Sequence, residues 1–216
     1  GTDWFTTGTF SLLPAGTYHV RVRDRNNPGC VLILNDNLQL TQNNQLTADL
    51  DSSNITCYNA KNGTIVITNP GGGSGVGYEY TINGVAPWTT NGTFTNLVPG
   101  TYNVIMRDRG VTSCTRVLNG NLVLTQPNQL AVTVSINKGL TCHEGADGEL
   151  KANVTGGTPG YTYDWYKQSG VTWVSMGQHN IIATGIDSGR YQVRVNDAKG
   201  CGPVTAGIFF IPGPAF

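Results

Sequence analysis

Five cysteines are the residues of this chain most able to form covalent bonds, and they recur at only two phases of an internal repeat. Cys57 and Cys142 each follow the segment that predicts the first strand of a repeat unit. The other three, Cys30, Cys114 and Cys201, follow the predicted sixth strand. Regular cysteine spacing in a chain suited to an extracellular setting favours structural disulfides over buried free thiols. All five are therefore disulfide candidates.

Aspartates recur just after the predicted sixth strand and are the next candidates for chemistry. They are Asp24, Asp108 and Asp197. Acids at loop edges could bind Ca²⁺, but that ion needs six to eight oxygens and no acidic string surrounds these positions. An isolated aspartate more often caps a tight turn by bonding nearby backbone. The sequence predicts turn caps, with Ca²⁺ binding as the weaker alternative and no other cofactor.

The run Cys142-His143-Glu144, followed by Asp147, resembles part of a metal site. The second unit has Tyr58 and Asn59 at the positions of His143 and Glu144, so a turn is the better interpretation. No catalytic or phosphate-binding motif occurs elsewhere in the sequence. Because no nucleophile–base pair is present, the sequence predicts that the chain is not an enzyme.

Aromatic residues offer one further binding chemistry, since exposed rings can stack on sugars. Trp165 falls on a predicted third strand, where a sandwich normally buries a tryptophan. Trp173 and Tyr166 could instead form a carbohydrate-binding patch. Packing in the core or at a sheet edge is the simpler explanation for both residues.

Composition restricts the partners of the protein. The 216 residues carry a formal net charge of zero and only 12% charged residues. The absence of a basic cluster predicts no nucleic-acid binding, and the shortness of the apolar runs predicts no membrane insertion. Scarce charge with abundant Gly, Thr and Asn favours an extracellular β-protein.

A long internal repeat must position these residues. Residues 4–30 match residues 88–114 at an offset of 84 without a gap, and a looser third copy ends at Cys201. The similar stretches TQNNQL (41–46) and TQPNQL (125–130) mark joints between units, and Pro127 predicts that the second joint is short and extended. We therefore expect a C-terminal half-repeat at 1–46, a second repeat at 47–131 and a third at 132–216.

Period-two alternation dominates each unit, and no stretch shows a helical period. Gly-containing turns separate about seven short strands in the third unit. This pattern predicts an all-β fold of tandem Ig-like or fibronectin-like antiparallel β-sandwich repeats. At the same phase of each copy, an apolar residue and a Gly turn precede Tyr18, Tyr102 or Tyr191, as in the tyrosine corner of such sandwiches.

The units resemble the SprB repeat, an Ig/PKD-like repeat of very large cell-surface adhesins in gliding Bacteroidetes. The third unit carries the resemblance in TCHEGADG (141–148), GGTPGYTYDW (156–165), GRY (189–191) and NDAKGC (196–201). The second unit keeps Cys57, Asn62-Gly63 and Gly100-Thr101-Tyr102 but lacks the GGTPxYTYxW pattern. The resemblance implies export to the cell surface and a role in adhesion, and it names no ligand.

Within a sandwich frame, two disulfide pairings remain open. One stays within units and joins Cys57 to Cys114 and Cys142 to Cys201. The turns after strands one and six lie at opposite ends of an Ig-like unit, about 20 Å apart for a seven-residue strand, whereas bridged Cα atoms lie roughly 4.4–6.8 Å apart. A pairing of Cys57 with Cys201 across the joint is therefore slightly favoured, with Cys30 and Cys114 facing upstream partners and Cys142 a downstream one.

Two functions are consistent with these features. The first is a non-enzymatic extracellular segment of a repetitive surface adhesin, which forms a stiff filament. Its expected partners are the neighbouring repeats of the same chain and, beyond them, surface polysaccharide or another substratum. The second is a carbohydrate-binding accessory module of a secreted protein.

Overall fold

The strands of this chain are built from residues that alternate between the inside and the outside of a sheet. In the segment 100–108, Tyr102, Val104, Met106 and Asp108 are buried, and the residues between them are half-buried. This period of two is the spacing at which successive side chains of a strand point to opposite faces. The structure is a computed structural model that describes residues 4–84, 87–141 and 145–213, and these contain sixteen strands and no helix. None of the described residues lies in a helix long and apolar enough to cross a membrane.

The first unit is represented by a two-stranded antiparallel hairpin. Its strands are β1 (Gly16–Arg23) and β2 (Val31–Leu40).

The second unit is a sandwich of two three-stranded antiparallel sheets. One sheet has the order β3 (Thr47–Ser53), β4 (Gly63–Gly71), β6 (Thr93–Leu97). The other has the order β5 (Tyr78–Ile82), β7 (Gly100–Asp108), β8 (Thr115–Leu124). The buried core between them comprises Leu46, Ile55, Ile65, Ile67, Tyr80, Tyr102, Val104, Met106 and Leu124.

The third unit has the same arrangement with additional strands. One sheet contains β9 (Ala131–Lys138), β10 (Gly148–Thr155) and β13 (Ile182–Ile186), in the order β13-β10-β9. The other contains β11 (Thr162–Ser169), β12 (Thr172–Ser175), β14 (Gly189–Asn196), β15 (Val204–Thr205) and β16 (Phe209–Ile211). In that sheet β11 lies between β12 and β14, and β14 also pairs with β15 and β16. Trp165 is fully buried in its core and donates through Nε1 to Asn180 O at 2.9 Å.

The structure confirms the predicted all-β class and is consistent with Ig-like sandwich repeats. The third unit follows the predicted strands closely, except that its last strand is divided into β15 and β16. Among its described residues, the second unit has six strands. Between β5 and β6, Thr89 forms an isolated bridge with Tyr80.

Candidate functional site

The joint between the second and third units, residues 125–130, is held tightly against the second unit. Thr125 N donates to Asn54 Oδ1 at 2.8 Å, and Ile55 N donates to Thr125 O at 3.0 Å. One residue further on, Asn59 N donates to Gln126 Oε1 at 2.8 Å. These three hydrogen bonds connect the end of β8 to the loop that follows β3. The joint therefore leaves the second unit in a defined direction.

The other end of the joint is held against the third unit through a glycine pair. Gly157 N donates to Asn128 O at 2.9 Å. A Cβ on Gly156 would lie 1.9 Å from Gln129 O, and Gly156 has a φ of +69°, so only glycine allows this approach. Leu130, the last residue of the joint, is buried.

The joint between the first and second units repeats this construction. Gly73 N donates to Asn44 O at 2.8 Å, and a Cβ on Gly72 would lie 2.1 Å from Gln45 O. Leu46 is buried as Leu130 is, and Arg116 Nη1 donates to Leu46 O at 2.9 Å. A unit of this chain therefore holds the segment that enters it in a reproducible way.

A disulfide between Cys57 and Cys201 crosses the second joint. The two Cα atoms are 5.6 Å apart, within the range of bridged cysteines. Cys57 lies in the loop after β3, and Cys201 lies in the turn after β14. The second and third units are therefore connected covalently at two places, the peptide joint and the disulfide.

Asp197 positions the turn that carries Cys201. Its Oδ1 accepts from Cys201 N at 2.8 Å and Lys199 N at 2.9 Å, and its Oδ2 accepts from Thr158 N at 2.7 Å. Thr158 follows the glycine pair that holds the joint. The side chain of Asp197 thus links the cysteine turn to the loop that receives the joint, which places Cys201 opposite Cys57.

Burial alone would raise the pKa of Asp197. The hydrogen bonds from the three backbone amides lower it by more than burial raises it, so its pKa lies below the usual value. The pKa of Asp108 is also lowered, chiefly by the hydroxyl and amide of Ser74. Asp108 Oδ1 accepts from Ser74 Oγ at 2.6 Å and from Gly110 N at 2.7 Å. Both carboxylates are therefore ionised caps that connect their own turn to a neighbouring loop.

The three recurrent aspartates have one arrangement in common. The amides of Asp24, Asp108 and Asp197 donate to the carbonyls of Cys30, Cys114 and Cys201, at 3.1, 3.0 and 3.1 Å respectively. The carboxylate of Asp24 accepts from Asn26 N at 2.7 Å. These contacts are those of turn caps. Within the described parts of the chain, no group of three or more His, Cys, Asp or Glu side chains could hold a metal ion.

Two further cysteines, Cys30 and Cys114, are not bridged in the structure. Cys30 is exposed and Cys114 is half-buried, and both have free thiols. The within-unit pairing of Cys57 with Cys114 is therefore not formed, because the partner of Cys57 is Cys201. Cys142, with His143 and Glu144, lies outside the described residues. Downstream of them, Asp147 accepts from Thr141 Oγ1 at 2.7 Å, from Thr141 N and from Lys138 Nζ; these bonds lower the pKa of Asp147 to about 2.

The three tyrosines predicted to form corners each bond a carbonyl four residues upstream. Tyr18 donates to Pro14 O at 2.7 Å, and Tyr102 donates to Val98 O at 2.8 Å. Tyr191 donates to Asp187 O at 3.1 Å and also bonds the Asp187 carboxylate. Burial, followed by this carboxylate, raises the pKa of Tyr191 above its ordinary value. The ring of Tyr191 is buried in the core of the third unit.

The two aromatic residues proposed for sugar contact lie on one face of the third unit. Tyr166 is opposite Ser175 and Trp173 is opposite Gln168 in the β11–β12 pair, so both side chains belong to the same side of the sheet. Both are half-buried. The guanidinium of Arg194 lies 4.7 Å from the centre of the Tyr166 ring and covers one face of it.

A second pair of tyrosines, which sequence reasoning did not single out, supports the loops that receive the joints. Tyr78 donates to Gly72 O at 2.9 Å, and Tyr161 donates to Gly156 O at 2.7 Å. The signal in the sequence is that each tyrosine follows its glycine by five or six residues. These hydroxyls stabilise the glycine backbone against which Gln45 and Gln129 pack.

Comparison with known protein families matches two parts of the chain, residues 50–87 and 138–170, to the family model described as the SprB repeat. Two segments of the chain are therefore similar to the SprB repeat. Each match lies in the first part of a sandwich unit, and the SprB resemblance predicted from the sequence is confirmed. SprB repeats form a structural repeat family and occur in cell-surface proteins. No curated protein is significantly similar to the chain.

Proposed function

We propose that this chain is a non-enzymatic segment of a repetitive cell-surface adhesin, in which covalently linked SprB repeats form a stiff stalk that projects or carries adhesive surfaces. The disulfide across the joint is the observation that carries this proposal. The SprB family supports a cell-surface location and a role in adhesion or gliding.

Stiffness is expected because each kind of motion at the joint is opposed by a separate contact. A single peptide link allows two domains to bend and rotate about it. Here the joint bonds both units through their backbones, and the Cys57–Cys201 bridge adds a second link beside it. Two links that leave each unit at different points restrict both rotation and bending. The immediate partners of each unit are thus its neighbours, and substratum polysaccharide is a further partner of the whole adhesin.

The test measures how widely the distance between the second and third units varies. Spectroscopic labels at non-cysteine sites, one in each unit, should give a narrow distance distribution in the oxidised protein. The double variant Cys57→Ser, Cys201→Ser should broaden it, whereas Cys114→Ser, which removes a free thiol, should not. Equal widths in the oxidised protein and the double variant would contradict the stalk.

The alternative is a carbohydrate-binding module, and the half-buried Trp173 on the edge strand β12, beside Tyr166, is the observation that favours it. Glycan binding by the chain that is lost in Trp173→Ala but kept in Trp88→Ala would support this function. A narrow inter-unit distance without glycan binding supports the stalk alone.

A further inference from the structure

The hairpin of the first unit exposes a sheet face that is covered in the second unit. The β1–β2 pair has the same register as the β7–β8 pair, since Gly16 is opposite Leu40 as Gly100 is opposite Leu124. The register shifts occur at equivalent points, after Tyr18 and Tyr102. The two hairpins are therefore the same structural element, displaced by 84 residues.

Equivalent side chains differ sharply in burial between these hairpins. Val104 and Met106 on β7 are fully buried. Their counterparts on β1 are Val20, which is half-buried, and Val22, which is 47% exposed. Phe10 is 53% exposed and packs edge-on against Phe5, with ring centres 5.6 Å apart. An apolar face of this kind on a hairpin is an interaction surface, because a two-stranded hairpin alone is marginally stable in water.

The second unit shows which strands cover such a face. There the β3–β4–β6 sheet places Ile65 and Ile67 over β7, with Ile65 fully buried. In the same unit, β5 pairs with the edge of β7 that faces away from β8. Among the described residues, β1 of the first unit pairs only with β2. The backbone groups on the other edge of β1 therefore have no strand partner among the described residues.

We propose that the inner face of β1–β2 binds a segment equivalent to residues 47–87, the first half of another SprB-type repeat, and closes with it into a complete sandwich. The ungapped offset of 84 makes residue 4 the counterpart of residue 88, so such a segment would meet the hairpin in the same order as in the second unit. The proposal concerns the architecture of the first unit and does not depend on the adhesive role.

The test supplies this partner directly. A second copy of residues 47–87 is fused ahead of residue 4 of the full chain, and amide hydrogen exchange is followed at β1. In the fusion, exchange at β1 should slow at least 100-fold relative to the unmodified chain, because the second edge of β1 becomes hydrogen-bonded and its apolar face is covered. The matched control carries Ile65→Asp in the added copy only and should exchange as the unmodified chain does.

Two results would overturn the proposal. One is equal exchange at β1 in the fusion, the control and the unmodified chain. The other is an unmodified chain that is dimeric by sedimentation, with β1 already protected, since the occupant would then be a second copy of the hairpin. As an independent check, a chain that starts at residue 88 should expose β7–β8 and accelerate its exchange to the rate of β1.

Discussion

The disulfide across the second joint determines how far the protein can be stretched. The bridge joins residues that are 144 positions apart in sequence, while their Cα atoms are 5.6 Å apart. When force is applied to the two ends of the oxidised chain, it passes from Cys57 to Cys201 through the sulfur atoms. The intervening residues lie outside the loaded path and cannot be extended. Only strands outside the loop, including β3, β15 and β16, carry load within the two linked sandwiches.

The magnitude follows from chain geometry. A fully extended chain spans about 3.3–3.6 Å per residue, so a loop of this length contains roughly 500 Å of hidden contour. The chain-entropy model also assigns such a loop a stabilisation of about 5 kcal/mol when both units unfold. Removing the bridge should thus lengthen the fully stretched protein by roughly 500 Å and lower the free energy of its global unfolding.

Single-molecule stretching between handles near residues 4 and 213 measures this directly. The oxidised protein is compared with the variant Cys57→Ser, Cys201→Ser, and with Cys114→Ser as a control that keeps the bridge. The double variant should show two additional unfolding events, one for each sandwich. If the oxidised protein stretches to the same contour length as the double variant, the reasoning is refuted.

Three further changes test individual contacts of the third unit. Gly156→Ala should lower the free energy of unfolding of the third unit by about 3 kcal/mol in chemical denaturation. The control Gly200→Ala has a similar φ but open space around the added Cβ, and it should cost about 1 kcal/mol. Equal losses in the two variants would exclude the joint contact as the cause. Tyr191→Phe should cost about 1.5 kcal/mol by removing the corner hydrogen bond, and no loss would contradict its structural role. Because folding lowers the pKa of Asp147 to about 2 from 3.8, the stabilising contribution of its carboxylate is complete above about pH 4 and is lost as the pH falls towards 2. Chemical denaturation at several pH values should show that the free energy of unfolding of Asp147→Asn depends less on pH than that of the unmodified protein. Identical pH profiles of the two proteins would exclude the effect.

Local pattern was sufficient to predict much of this fold. Alternation and Gly turns located the strands of the third unit, and the repeated Gly-x-Tyr phase located tyrosines whose hydroxyls bond the carbonyl four residues back. These features depend on residues close in sequence. In the second unit, Trp88 lies under the guanidinium of Arg107, 4.3 Å from its ring centre. Arg107 in turn binds Glu79, a contact that the strand pattern does not reveal.

The joint was harder to predict because its contacts connect distant parts of the chain. The spacing of the cysteines left two pairings open, and the choice depended on which ends of two sandwiches meet. The bond from Asn59 N to Gln126 and the approach of Gln129 O to Gly156 have no periodic signature. Each contact requires the unit that holds the joint to be folded before its two partners are adjacent.

The loop closed by the disulfide is longer than one repeat, and this affects the survival of the protein under proteolysis. A single cleavage of the backbone anywhere between Cys57 and Cys201 leaves the two fragments joined through the sulfur bridge. Such a cut can fall within the second unit, within the joint or within the third unit. The bridge therefore keeps the polypeptide covalently in one piece after one cleavage anywhere in the loop.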